Sequence, residues 1–176
     1  AIACAGTGPI VTTEYYDGSS WTAQPANLNE THRERNGVGT QTSFVAMGGT
    51  NPGETVFHTD VEEYNGSAWT STAEMVIALK NAAGIIGTSS DSAILAGGQN
   101  ANPTTNVDNS QVYNGTAVVT GVSPALSIRS GNQGVGTIAA GGFIAGRGPQ
   151  TAAANKTEEF VGETTAAAAV KTIDFD

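Results

Sequence analysis

The sequence predicts an all-β fold, a β-propeller of about four blades with four short antiparallel strands in each blade. Three motifs predict this fold because they recur with the same period of about 49 residues. The anchoring aromatic residues of the first motif lie 48, 49 and 47 residues apart, at Tyr16, Tyr64, Tyr113 and Phe160. A Gly-Thr pair and an apolar run that ends in glycine keep the same spacing. The sequence therefore predicts a single domain over residues 1–176, with repeats at about 1–35 (partial), 36–82, 83–132 and 133–176.

The first two strands of each unit are predicted at the Gly-Thr pair and at the apolar run. First strands are expected at 36–40, 83–88 and 133–137, and second strands at 43–48, 93–97 and 142–146. The second strands are continuous apolar segments, which are typical of strands buried on both faces. Their terminal glycines indicate a close approach of neighbouring backbones.

The third and fourth strands of each unit form a predicted hairpin. The third strand carries a Glu-Glu-Tyr type segment, and its alternation of polar and apolar residues indicates a half-buried strand. Asp-Gly or Asn-Gly pairs predict tight turns, because these residue types tolerate positive φ. The pairs stand at 17–18, 65–66 and 114–115. The fourth strand carries Trp21 or Trp69, with Val118 at the corresponding place in the third copy.

The number of strands leaves two ways to complete the ring. Second, third and fourth strands occur four times, whereas the first strand occurs three times. The chain starts with Ala1 inside a repeat, so we expect a processed or partial product of a longer protein. A closed four-bladed ring requires the tail, residues 170–175, to supply the missing first strand. In the alternative, upstream sequence carries further blades of a larger propeller.

The composition excludes several classes of function. The net charge of −9 argues against a nucleic-acid binder, which needs a basic surface, and against attraction to an anionic membrane. The sequence contains no apolar run long enough to span a bilayer and no recognisable signal peptide. Cys4 is the single cysteine, so it forms no internal disulfide, and its neighbours predict a small buried strand residue.

The long connections define a predicted binding face. Because successive strands alternate in direction, these connections emerge at the same end of the blades, and long loops on a rigid scaffold commonly carry binding sites. The loop face comprises residues 23–35, 50–59, 72–82, 99–108, 121–132 and 149–156. Its candidate binding residues are Phe57, His58, His32, Arg33, Lys80, Asn102, Arg129 and Arg147. Every basic residue except Lys171 is assigned to this face, with Arg147 two residues before its last segment, so we expect a positive bias that suits anionic glycans or an acidic partner.

Each candidate has a structural alternative. His32, Lys80 and Arg129 are interpreted as equivalent repeat positions, and residues repeated in each blade often serve the scaffold. Phe57 in a polar loop indicates an interface, and the alternative is that its ring packs onto its own blade. Trp21 and Trp69 are assigned to blade packing rather than to sugar stacking. The glutamates of the third strands are assigned to solvated faces or hydrogen bonds rather than to a catalytic pair; they are Glu14, Glu62, Glu63, Glu158 and Glu159.

The sequence predicts no enzyme and no metal or cofactor site. It lacks the GxSxG, P-loop and HExxH motifs and has no paired cysteines. The segment from Tyr16 to Trp21 places Asp17 next to Gly18, which fails the spacing of the sialidase Asp box. Cys4 and the two histidines do not match the ligand set of copper radical oxidases.

The repeat resembles the Kelch repeat. That family has a Gly-Gly pair after an apolar strand, then a Tyr and a Trp, and the matches here are Gly48-Gly49, Tyr64 and Trp69. The Glu-Tyr-Asp-Gly-Ser-Ser-Trp-Thr segment is similar to Kelch-type repeats in structural proteins of marine phages, notably those that infect cyanobacteria. The resemblance covers nearly the whole chain.

The resemblance implies a bacteriophage virion protein, a tail fibre or knob, whose loop face attaches to a host-surface glycan or another receptor. The alternative is a virion scaffold or capsid-decorating protein that docks other subunits and has no host ligand. Both interpretations place the protein on the surface of the virion with other virion proteins as partners. By the same analogy with phage fibres, we expect a homo-oligomer, a trimer.

Overall fold

The computed structural model describes residues 1–6, 10–81, 85–100, 106–121, 130–131, 133–144, 157–161 and 169–173. These residues form fifteen strands and no helix, which confirms the predicted all-β class for this part of the chain. No described segment forms an apolar helix long enough to cross a membrane.

The strands form four antiparallel sheets. Sheet 1 contains β1 (Ile2–Cys4), β2 (Thr13–Tyr16) and β3 (Trp21–Gln24). Sheet 2 contains β4 (Asn36–Thr40), β5 (Ser43–Met47), β6 (Asp60–Tyr64) and β7 (Trp69–Glu74). Sheet 3 contains β8 (Ile85–Ser89), β9 (Ser92–Gln99), β10 (Asn106–Tyr113) and β11 (Val118–Thr120). Sheet 4 contains β12 (Gln133–Gly136), β13 (Ala140–Ile144), β14 (Thr157–Val161) and β15 (Ala169–Ile173).

Each sheet is a meander in which strands adjacent in sequence pair with one another. The predicted strand positions are confirmed to within a few residues, because the period-2 pattern and the apolar runs mark them directly. The second strands of sheets 2 and 3 are the most buried, with Val45, Ala93 and Leu95 fully inaccessible. Together these two strands supply eight of the eighteen buried hydrophobic residues in the described part of the chain.

Asx-Gly turns close the hairpins between third and fourth strands. Gly18, Gly66 and Gly115 adopt φ of 111°, 95° and 87°, as predicted. The Asp17 carboxylate accepts hydrogen bonds from the backbone N–H groups of Ser19 (2.8 Å) and Ser20 (2.9 Å). The N–H groups of Ser20 and then Ser19 lower the pKa of Asp17 to about 2. The side chains of the two turn asparagines accept equivalent bonds, so the three turns share one geometry.

Consecutive sheets pack through their first strands and through the aromatic residues of the hairpins. β4 lies against β8, and β8 lies against β12. The Trp69 indole of sheet 2 donates a hydrogen bond of 2.8 Å to the Thr13 hydroxyl of sheet 1. Ile86 approaches Gly141 of sheet 4 so closely that a Cβ at Gly141 would lie 2.7 Å from the Ile86 side chain. The Trp69 side chain is therefore covered by the neighbouring sheet, and the two sheets at Ile86 and Gly141 are in close contact.

The two ends of this row of sheets are different from its interior. Sheet 1 has three strands because its first strand is missing, which confirms the strand count made from the sequence. The tail does not supply that strand: β15 pairs with β14 as the fourth strand of sheet 4. The prediction that the tail could close a small ring is therefore wrong, because the backbone of β15 is paired with β14 along its whole length.

A backbone ladder connects equivalent residues of successive repeats. Glu34, Asn81 and Gly131 all have positive φ, at 57°, 45° and 64°. The Asn81 N–H donates to the Glu34 carbonyl (3.4 Å), and the Gly131 N–H donates to the Asn81 carbonyl (3.1 Å). Because Glu34 is equivalent to Asn81, the preceding residues are equivalent too: Arg33 to Lys80, and His32 to Leu79. The predicted equivalence of His32 and Lys80 is therefore wrong by one residue.

Candidate functional site

Three long connections meet at one end of sheets 1, 2 and 3. We call this region the junction; it comprises residues 25–35, 48–59 and 75–81. The connection from β3 to β4 bridges the one from β5 to β6 through Arg33 and Thr50, which exchange backbone hydrogen bonds of 2.8 and 2.9 Å. The connection from β7 to β8 bridges the end of β9 through Lys80 and Gln99, with both bonds at 2.9 Å. The predicted convergence of these connections on one face is therefore present in the described residues.

His32 lies inside this junction rather than on its surface. Its side chain is buried, and its ring stacks on that of His58 with centroids 3.9 Å apart. Its Nδ1 lies 3.0 Å from Oδ2 of Asp60, the first residue of β6. Burial, and then the charge of Arg35, lower the pKa of His32 to about 4, so the imidazole is neutral at pH 7.

The basic residues of the junction are paired with acids. The Lys80 ammonium is buried and lies 2.9 Å from Glu54 and 3.1 Å from Glu34. Arg33 lies 3.1 Å from the Glu54 carboxylate, and the hydrogen bond and charge of Lys80 lower the pKa of Glu54. The predicted positive bias is therefore neutralised in the described part of the loop face. Glu34 and Glu54 were not recognised in the sequence, because the loop pattern does not indicate which acids reach which bases.

A second ion pair lies beneath the junction. Arg35 and Glu62 have side chains that are 3% and 0% exposed, and their charged groups form a hydrogen bond. Glu62 also accepts a hydrogen bond of 2.7 Å from the Asn29 backbone N–H. Arg35 donates further bonds to the carbonyls of Ala46 and Asp60. Glu62 is therefore a buried hydrogen-bond partner, which was one of the two roles assigned to the third-strand glutamates.

The loop from residue 51 to residue 58 is the exposed part of the junction. The Asn51 side-chain oxygen accepts hydrogen bonds from the backbone N–H groups of Thr55 (2.9 Å) and Val56 (3.0 Å). Val56 is 51% exposed, whereas Phe57 is half-buried with the Lys80 ammonium 5.7 Å from its ring centroid. The two predicted roles of Phe57, an interface contact and packing onto its own blade, both stay predictions. Val56 is the more exposed apolar contact.

The remaining candidates cannot be placed. Asn102, Arg129 and Arg147 lie outside the described residues. Of the predicted set, the structure brings together Phe57, His58, His32, Arg33 and Lys80. Asp60 joins them without any sequence signal, because it lies at the start of a strand and 28 residues after His32.

Cys4 lies at the end of β1 and is half-buried, close to the prediction of a buried strand residue. Burial raises the pKa of its thiol to about 11, so the reactive thiolate is scarce at neutral pH.

Comparisons with known proteins define the fold of this chain and no more. No protein-family model and no curated protein sequence matches it. Among solved structures, that of YjhT covers 92% of this chain with a TM-score of 0.70 and 14% sequence identity. The match covers 52% of the YjhT chain, so this chain spans about half the length of that protein. At this identity the likeness concerns the fold alone, and the chain is similar to YjhT in the arrangement of its β-sheets.

Proposed function

We propose that the chain is a non-enzymatic binding protein built as a Kelch-like β-propeller, with each antiparallel sheet as one blade. The meander order of the sheets, the packing of β4, β8 and β12, and the 49-residue period support this arrangement. The missing first strand of sheet 1 is compatible with a propeller that further repeats complete. We place the protein on the surface of a bacteriophage virion, in a fibre or knob, because its repeat sequence resembles the Kelch-type repeats of phage structural proteins.

The proposed role of the loop face is attachment to a host-surface glycan or another receptor. The observation that carries this proposal is the rigid, exposed loop from residue 51 to residue 58. The Asn51 side chain accepts two hydrogen bonds from the backbone of this loop, while Arg33 and Lys80 both form salt bridges with Glu54. A loop already held in one conformation loses little entropy when it binds, which favours affinity. Its exposed Thr55 and Val56 offer a hydroxyl and an apolar surface to a ligand.

The double substitution Thr55→Ala and Val56→Asp is expected to weaken binding of the purified protein to a glycan array or to host envelope fractions about tenfold or more, the equivalent of about 1.4 kcal/mol. The reason is that the variant removes the exposed hydroxyl and places a charge at the centre of the proposed contact.

Val119→Asp is the matched control, because Val119 is 50% exposed on β11 rather than on the loop face. The control is expected to bind as the unchanged protein does. Equal loss in both variants, or no binding of the unchanged protein to any host surface fraction, contradicts the attachment proposal.

A second candidate function is docking to other virion subunits, and the two end faces favour it. We define the end faces by Trp21 with Tyr16 on sheet 1 and by Val135 on sheet 4. Trp21 is 51% exposed, whereas Trp69 at the equivalent position is 6% exposed. Val135 is 49% exposed, whereas Ile86 at the equivalent position is 1% exposed. Both end faces are thus left open where interior repeats are covered, and an exposed apolar face commonly marks an interface.

Light scattering coupled to size exclusion tests the docking function. We expect the purified protein to associate at high concentration. The reason is that Val135 occupies the position at which Ile86 contacts the next sheet, so the end face of sheet 4 can pack against a second copy of the chain. Val135→Glu is expected to shift the protein to the monomer, whereas Val56→Asp leaves association unchanged. An unchanged protein that stays monomeric at all concentrations, or a Val135→Glu variant that associates as well, contradicts self-association through this face.

A further inference from the structure

We propose that His32, His58 and Asp60 form a binding site for a divalent transition-metal ion with the preferences of zinc. One ligand atom from each residue lies within 4.8 Å of the others. His32 and His58 come from two connections and Asp60 begins β6, and the fold brings them together at the base of the loop from residue 51 to residue 58. This inference goes beyond the proposed attachment function and does not depend on it.

The strongest observation is that the ligand atoms lack other partners. Nδ1 of His32, Nε2 of His58 and Oδ2 of Asp60 are buried and form no hydrogen bond within the described residues. The 3.0 Å contact between His32 and Asp60 lacks the alignment of a hydrogen bond. A buried polar atom without a partner destabilises the fold, because it has lost its hydrogen bonds to water, and three such atoms lie together here. A single cation between them would satisfy all three atoms.

The local backbone holds the ligands in place. The His58 N–H donates a bond of 3.0 Å to the Gly49 carbonyl, and Asp60 begins β6 opposite Glu74 of β7. Residues 58 and 60 are two apart in an extended segment, so their side chains point to the same side. His32 precedes Arg33, whose backbone N–H and carbonyl are both hydrogen-bonded to the backbone of Thr50. Each ligand is therefore next to a fixed backbone position rather than on a free loop.

The donor set selects the type of ion. Two imidazoles and one carboxylate suit Zn²⁺ and its neighbours in the first transition row, whereas Ca²⁺ and Mg²⁺ prefer all-oxygen sites. Ligand bonds of about 2.0–2.2 Å require the three side chains to close in slightly around the ion. Three protein ligands leave a fourth coordination position for water or for a group of a bound partner. The nearby Arg35 has its charge balanced by Glu62, so the carboxylate of Asp60 remains available to the cation.

The ion would fix the base of the loop from residue 51 to residue 58. It would join the connection before β4 to the connection before β6, which are otherwise joined by the Arg33–Thr50 backbone bonds and by salt bridges.

The experiment uses untagged protein stripped with a chelator and then titrated with Co²⁺ or Zn²⁺ alone. We expect one Co²⁺ per chain with the visible absorption of a tetrahedral or five-coordinate site, displacement by Zn²⁺, and a higher melting temperature with Zn²⁺. The two histidines of the sequence both lie in this site, so a histidine-dependent cobalt spectrum has no other source in the chain.

His58→Ala and Asp60→Asn are expected to weaken binding of both metals at least tenfold and to remove the thermal shift. Asp60→Asn keeps the shape of the side chain, so it remains informative if His58→Ala destabilises the fold. Asp91→Asn, which changes an exposed acid away from the site, is expected to bind as the unchanged protein does. Absence of the cobalt spectrum and of any zinc-dependent stabilisation in the unchanged protein overturns the proposal, as does undiminished binding by Asp60→Asn. Either failure leaves glycan binding by the Val56 surface unaffected, so the two proposals are separable.

Discussion

Arg35→Ala is expected to lower the free energy of unfolding by about 3–5 kcal/mol, because it leaves the Glu62 carboxylate buried without its cation. Glu62 is 0% exposed and Arg35 is the cation that lies against its carboxylate. The substitution also removes donors from the carbonyls of Ala46 and Asp60. Urea denaturation measures the loss, and a slope of about 2 kcal/mol per molar urea converts it to a midpoint shift of about 2 M.

Sheet 3 supplies the matched control for this prediction. Gln111 occupies the position of Glu62, and its amide bonds both to the Ile77 N–H (2.9 Å) and to the Ile77 carbonyl (3.0 Å). A neutral amide thus satisfies the same backbone connection, and neither of these two bonds needs a cation. The double variant Arg35→Met with Glu62→Gln copies this arrangement and is expected to recover most of the stability that Arg35→Ala loses.

The double variant also separates charge from packing. If it is as unstable as Arg35→Ala, the loss comes from the packed stem of Arg35 and its carbonyl contacts rather than from the uncompensated carboxylate. If Arg35→Ala itself changes the midpoint by less than the error of the measurement, the ion pair does not stabilise the fold.

The strands were predictable from the sequence because each of their determinants is local. The apolar run of β5 and the Asn65-Gly66 turn specify burial and chain reversal without reference to distant residues. The repeat then shows how the units recur, since β4 and β8 carry the same Gly-Thr pair. The pairing of the tail was not predictable in this way. The apolar pattern of β15 suits both the open edge of sheet 1 and the edge of sheet 4, and in the structure β15 pairs with β14 of sheet 4.

The candidate site was predictable only in its location. The alternation of strand direction places residues 25–35 and 50–59 at one end, but it does not indicate which side chains point inward. One position is a buried histidine, His32, in the first repeat and a buried leucine, Leu79, in the second. A leucine there packs with the core, whereas a histidine buries polar ring atoms, and the side chains of His58 and Asp60 lie beside them. The sequence separates His32 from these partners by more than twenty residues, so the cluster has no local motif.

Trp69→Ala is expected to lower the free energy of unfolding by about 3–5 kcal/mol, whereas Trp21→Ala, at the equivalent position of the preceding repeat, is expected to lower it by about 1 kcal/mol or less. The Trp69 ring packs against Tyr64 (5.0 Å between centroids) and Phe44 (6.1 Å), and its loss leaves the buried Thr13 hydroxyl without a partner. Trp21 contacts Tyr16 at 5.2 Å and is otherwise half in solvent. Urea denaturation of the two variants at low protein concentration measures the difference.

The comparison of the two tryptophans also tests what covers the end face of sheet 1. The indole of Trp21 is 51% exposed, so its removal opens no buried cavity. If a second copy of this chain covers this face, the stability of the unchanged protein rises with its concentration, and Trp21→Ala removes that dependence. Trp69→Ala leaves the concentration dependence in place, because its effect lies inside one chain. Equal destabilisation by both substitutions at every concentration would mean that residues of the same chain cover Trp21.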